Sequence, residues 1–126
     1  MKVFRIPSFL LCALLLVSLG NSVWLTRRCD DWAKELGAID QSALQDDWDS
    51  ARYQLDVLYA DWQRVQTWLH ITIEHEELDM AQSLFQTSMV LCQEEDSVEF
   101  RAHLAELLSQ LQLLDEMERI SIKNIL

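Results

Sequence analysis

The stretch Leu44–Thr72, LQDDWDSARYQLDVLYADWQRVQTWLHIT, decides the fold class. Leu44, Trp48, Ala51, Leu55, Leu58, Trp62, Val65, Leu69 and Thr72 follow one another in steps of four and three. That spacing lays them on one stripe of an α-helix. Gln, Asp, Arg and Tyr fill the positions between, and neither Gly nor Pro interrupts the run. An isolated helix cannot cover two indoles, so the stripe requires partner helices. The stretch therefore predicts the spine of a helical domain, capped by Asp40 and running to about His70.

The rest of the chain agrees. Its 126 residues include only two Gly and one Pro, Pro7, which favours an all-α protein. Toward the C-terminus a third helix is expected from about Glu76 to Cys92, with Leu78, Ala81, Phe85, Met89 and Cys92 on one face. A polar connector, residues 93–97, follows. Asp96 and Glu99 there have the spacing of a capping box that opens a fourth helix. The stripe of that helix is Phe100, Leu104, Leu107, Leu111 and Leu114, widened by Leu108 and fading at Asp115, Glu116 and Glu118. The end, Arg119 to Leu126, is an apolar tail suited to docking on the core or on a partner.

Toward the N-terminus, Ile6–Thr26 is 21 residues without a charge, long enough to cross a bilayer, with Trp24 at interfacial depth. A signal peptide is the competing reading, with the small residues Ser18, Gly20 and Ser22 fitting its pattern and cleavage near Gly20 or Ser22. The uncharged run continues through Val23, Trp24 and Leu25, which favours the uncleaved anchor. Lys2 and Arg5 on one side balance Arg27 and Arg28 on the other, so charge alone leaves orientation open. Cys12 follows Leu10 and Leu11 where a lipoprotein needs small residues. Beyond the anchor, Cys29, Trp32, Ala33 and Leu36 share a helical face that ends at Gly37 as a C′ residue.

The expected organisation is a membrane anchor or signal peptide over residues 1–26 and one acidic α-helical domain over 27–126. As a fold, this is an N-terminal transmembrane helix followed by a small antiparallel bundle of about three helices. The expected location is the cell membrane, single-pass, with the C-terminal domain outside the cytoplasm; the alternative is a secreted protein.

Every acidic residue lies at Asp30 or later, and from Asp30 onward the chain carries 21 acidic against 6 basic side chains, a formal charge of −15. Such a surface repels phosphate backbones, and nucleic acid is not an expected partner. The three cysteines, Cys12, Cys29 and Cys92, form no CxxC pair. Cys29 and Cys92 would both lie beyond the anchor, where a disulfide is chemically permitted, but sequence does not bring their Cα atoms together.

No Ser-His-Asp order or Gly-rich phosphate loop can be built from this chain, so neither an enzyme nor a cofactor is expected. The strongest metal candidate is His75-Glu76-Glu77-Leu78-Asp79, which superficially resembles HExxH with Asp79 in the second His position and His70 or Glu74 nearby. A third ligand is missing, and acids at a helix start already have a structural reason. His103 with Glu99 and Glu106 reads as surface, and Asp46, Asp47 and Asp49 lack the loop of a calcium site. Among the five tryptophans, Trp68 falls one place off the spine stripe. Trp68, Ile125 and Leu126 are accordingly interface candidates.

With these residues in view, the chain resembles the bacterial family known as domain-of-unknown-function family 4363, small membrane-anchored helical proteins of Firmicutes. The resemblance rests on the N-terminal apolar segment, Asp47-Trp48 with Ala51, the spaced Trp62 and Trp68, the run His75 to Asp79, and the ending Asn124-Ile125-Leu126. It implies no catalytic residues. It does imply a multi-pass membrane protein as a partner. The expected function is that of an extracytoplasmic, membrane-anchored interaction or accessory subunit, with membrane lipid around its N-terminal helix and a homodimer equally compatible with the stripe. The alternative is a metal-binding protein or metal-dependent hydrolase using His75 and Asp79.

Overall fold

A computed structural model describes residues 2–71 and 73–125, with the backbone alone for residues 2–4, 122 and 125. Four helices follow in order: α1 (Lys2–Leu44), α2 (Trp48–Leu69), α3 (His75–Gln93) and α4 (Ser97–Ile125). Each packs on two neighbours, α1 and α3 both lying against α2 and α4, so the chain runs up, down, up and down around one core. The expected all-α bundle behind an apolar N-terminal helix is present. Its composition is more economical than expected, because the second half of α1 is itself the fourth member of the bundle.

At 43 residues, α1 is about 65 Å long, twice the length of α2. Ile6, Phe9, Leu10, Leu11, Leu14, Leu16, Val17, Leu19 and Val23 are exposed along its first half. Burial begins at Leu25 and continues through Cys29, Trp32, Leu36, Ile39 and Ala43. The predicted stop at Gly37 does not occur, and Asp40 is not a cap. A helical Gly costs only about 1 kcal/mol relative to Ala, and the burial of Leu36 and Ile39 on either side exceeds that. Asp40 instead lies within α1, where its Oδ1 accepts a hydrogen bond from Arg101 Nε at 2.8 Å.

The actual stop is Asp46, in the left-handed region at φ 57°. The Asp46 N–H donates to Ala43 O at 3.1 Å and the Asp47 N–H to Ser42 O at 2.9 Å, the paired bonds of a Schellman motif. Asp47 then serves as N-cap of α2, its Oδ1 accepting from the Ser50 N–H. The α3–α4 corner repeats the construction. Glu95 has φ 57°, its N–H donates to Cys92 O, the Asp96 N–H donates to Leu91 O, and Asp96 Oδ1 accepts from the Glu99 N–H.

The spine stripe is buried at Trp48, Ala51, Leu55, Leu58, Trp62, Val65 and Leu69. Its two predicted ends differ: Leu44 closes α1 and is 48% exposed, and Thr72 lies outside the described residues. In α3 the buried positions are Leu78, Ala81, Phe85, Ser88 and Cys92, so Ser88 takes the place expected for Met89, which is half-buried. All five predicted stripe residues of α4 are buried, and the helix continues past Asp115 and Glu116 to Ile125. Trp62 is central: its ring meets Trp32 edge-on at 5.8 Å and stacks on Phe85 at 5.6 Å. Its Nε1–H donates to Gln82 Oε1 at 3.0 Å, which satisfies the one polar atom the ring takes into the core.

Cross-bonds fix the level of each helix. Asn21 meets Glu118, Thr26 meets Asp115, Cys29 meets Leu111 and Asp40 meets Arg101, a constant antiparallel register between α1 and α4. Arg28 and Trp32 meet Asp61 of α2, and Gln110 of α4 meets Glu77 of α3. Both Schellman corners therefore lie at one end, the far end. The α2–α3 connection, the C-terminus of α4 and the apolar half of α1 share the other, near end.

Candidate functional site

At the near end, one carboxylate joins α1 to α2. Asp61 accepts from Arg28 Nη1 at 3.0 Å on both oxygens, from Trp32 Nε1 at 2.8 Å and from Arg64 Nη2 at 3.3 Å. The Arg28 guanidinium also stands over the Trp24 ring, 5.7 Å from its centroid, within range of a cation–π contact. Trp24, Arg28, Asp61, Arg64, Val65 and Trp68 line an open pocket of about 420 Å³. Two guanidiniums share one carboxylate, so this pocket is locally cationic within an acidic domain. One step further along α1, burial and then the carboxylates of Asp61 and Asp31 raise the pKa of Glu35 above its ordinary value.

Beside it runs the seam of α1 with α4. Glu118 is only 4% exposed; its Oε1 accepts from Asn21 Nδ2 at 3.0 Å, and its Oε2 has no partner. Thr26 Oγ1 donates to Asp115 Oδ1 at 2.8 Å, and Arg119 pairs with Asp115 at 3.1 Å. Cys29 closes the seam with its thiol 3.5 Å from Leu111 O. Burial, aided by Asp115 and Asp30, pushes its pKa up to about 12, so it remains a protonated donor and not a nucleophile. Cys29 and Cys92 are both free thiols, the first between α1 and α4, the second beside Arg52 and Asp56 at the far end.

The metal candidates are dispersed. The His70 and His75 rings approach to 4.6 Å, but both side chains are exposed, as is Asp79 one turn along α3. Among the described residues no three His, Cys, Asp or Glu side chains are grouped to hold an ion. Glu77 is engaged elsewhere, accepting from Gln110 Nε2 at 2.8 Å. His103 bonds through Nδ1 to Glu99 O within its own helix.

Of the interface candidates, Trp68 is 67% exposed at the near end and Ile71, three residues on, is 76% exposed. The side chain of Ile125 and the whole of Leu126 lie outside the described residues. A second surface has no counterpart in the spacing of any one helix. Met80, Leu84, Ala105, Ser109 and Leu113 line an open groove of about 710 Å³ between α3 and α4. Neither this groove nor the Asp61 cluster belongs to a single helix, so no spacing along the chain reveals them.

The family model described as Domain of unknown function (DUF4363) matches residues 21–125. The match begins at Asn21, the residue at which α1 first bonds to α4. No curated protein and no solved structure matches the chain.

Proposed function

The chain belongs to the DUF4363 family, and from that premise we propose that it is a membrane-anchored helical bundle acting as an accessory subunit of another membrane protein. One observation carries the anchor: α1 is a single helix whose apolar first half is exposed and whose second half is core. A bare row of Leu, Val and Phe in water is unfavourable; in lipid the same row is the favoured state. On this reading the exposed part of residues 1–26 is the anchor, its last turn shared with the bundle through Leu25 and Thr26, and 27–126 is the rest of the displayed domain, extracytoplasmic and uncleaved.

The accessory role is supported by the α3–α4 groove, whose apolar floor is walled by Glu106, Gln110 and Glu116. That is the form of a shallow docking surface for a helix. Recovery of the full-length chain from its own membranes in mild detergent, with the bound proteins identified by mass, tests it. One stoichiometric membrane protein is the expected result. Met80→Glu with Leu113→Glu, both at exposed positions, is expected to abolish the association with helix content intact. A chain recovered alone, intact and folded, would sink the accessory role. Thiol labelling of Val98→Cys in intact cells reads the side of the membrane directly.

A further inference from the structure

We propose that the near end of the bundle rests in the headgroup layer of the bilayer, with Trp68 and Ile71 inserted beside Trp24, so that the domain sits upright on the membrane. This rests on the anchor reading above. The register carries the argument. Arg28 lies opposite Asp61, so Trp68 and the α2–α3 connection fall level with, or below, Trp24 as α1 leaves the bundle toward its N-terminus. Trp68 and Ile71 are 67% and 76% exposed there, and Val23 and Ile120 are exposed at the same end. An indole level with the end of a membrane span belongs to the interfacial belt.

Charge agrees with that occupant. Past Asn21 in the register, the exposed charged residues of α4 are Arg119 and Lys123, both cations suited to lipid phosphate. The acid beside them, Glu118, is buried against Asn21. Of the acids at the start of α3, Glu77 is level with Gln110, eight residues and about 12 Å further from the membrane than Glu118, while Glu74, exposed just before the helix, is the acid nearest Ile71. α1 continues without a break through Gly20 from its apolar half to Leu25, so the span and the bundle share one continuous helix.

The test uses the full-length chain with Cys12→Ser, reconstituted in vesicles of phosphatidylcholine and phosphatidylglycerol. An environment-sensitive fluorophore is attached at Leu14→Cys, Ile71→Cys or Val98→Cys, and a lipid-borne nitroxide quencher is placed near the headgroup or in the acyl chain. The expected result is acyl quenching at position 14, headgroup quenching at 71 several-fold stronger than at 98, and a blue-shifted probe at 71. Equal, water-like signals at 71 and 98 with position 14 still quenched would overturn the docking and leave the anchor standing. An unquenched probe at 14 would remove the anchor itself. Shielding of 71 in native membranes but not in lipid vesicles would also overturn the proposal, since a protein would then cover Trp68 and Ile71.

Discussion

Asp61 gathers Arg28, Trp32 and Arg64 onto a side chain that is only 17% exposed. Its removal leaves an indole N–H inside the α1–α2 seam without an acceptor and sets two guanidiniums side by side. Asp61→Ala is therefore expected to lower unfolding free energy by about 1–3 kcal/mol, read by urea denaturation. Asp61→Asn keeps an acceptor for Trp32 and should lose less. A smaller loss in Asp61→Ala than in a surface variant such as Asp79→Ala would show the cluster to be inert. A second residue-level expectation concerns Cys29. A thiol held near pKa 12 carries almost no thiolate at pH 8, so iodoacetamide should leave Cys29 unmodified in the folded protein and modify it only in denaturant. Fast alkylation of the folded chain at pH 8 would contradict the buried seam.

Helix ends explain what was legible in the sequence and what was not. The stripes of α2 and α4 follow directly from three–four spacing, because a buried face leaves a periodic trace. The end of α1 leaves none. Gly37 looked like a C′ residue because Gly adopts φ > 0 without strain, yet the left-handed positions are Asp46 and Glu95. Ser88 has a related cause: its place in the core is set by the register of α3 against its neighbours, one position before the expected Met89. The Asp61 cluster and the α3–α4 groove were illegible because each joins two elements. These misreadings give an element-scale prediction of opposite sign to most substitutions. Gly37→Ala should stabilise the fold by about 1 kcal/mol, since a Cβ there meets nothing within 4 Å. Glu95→Gly should stabilise it by about 1 kcal/mol, by relieving a left-handed residue with no local preference for that conformation. Thermal denaturation checks both, and a lower Tm for Gly37→Ala would mean that α1 bends there.

At the scale of the whole molecule, charge is segregated along the bundle axis. Asp46, Asp47 and Asp49 occupy one far corner, and Glu94, Glu95, Asp96 and Glu99 the other. Arg52 is the cation shared by the two corners, pairing with Asp49 at 2.6 Å and with Glu95 at 3.6 Å. Arg101 is occupied by Asp40 further along. Seven carboxylates in two adjacent turns repel one another over distances comparable with the Debye length, about 8 Å at physiological ionic strength. The repulsion falls on the folded state, because unfolding separates the two corners. Added salt should therefore stabilise this protein, with Tm rising as sodium chloride increases from low to physiological concentration and levelling off once screening is complete. Arg52→Ala removes the bridging cation and should deepen that dependence: a larger loss of Tm at low salt than at high. The same substitution at Arg64, where Arg28 already serves Asp61, should show little salt dependence. If Tm is flat with salt in both the wild-type chain and Arg52→Ala, the far-end acids are individually solvated and their clustering carries no energetic weight. If it rises only when Arg52 is absent, that one arginine already neutralises the two corners as a unit.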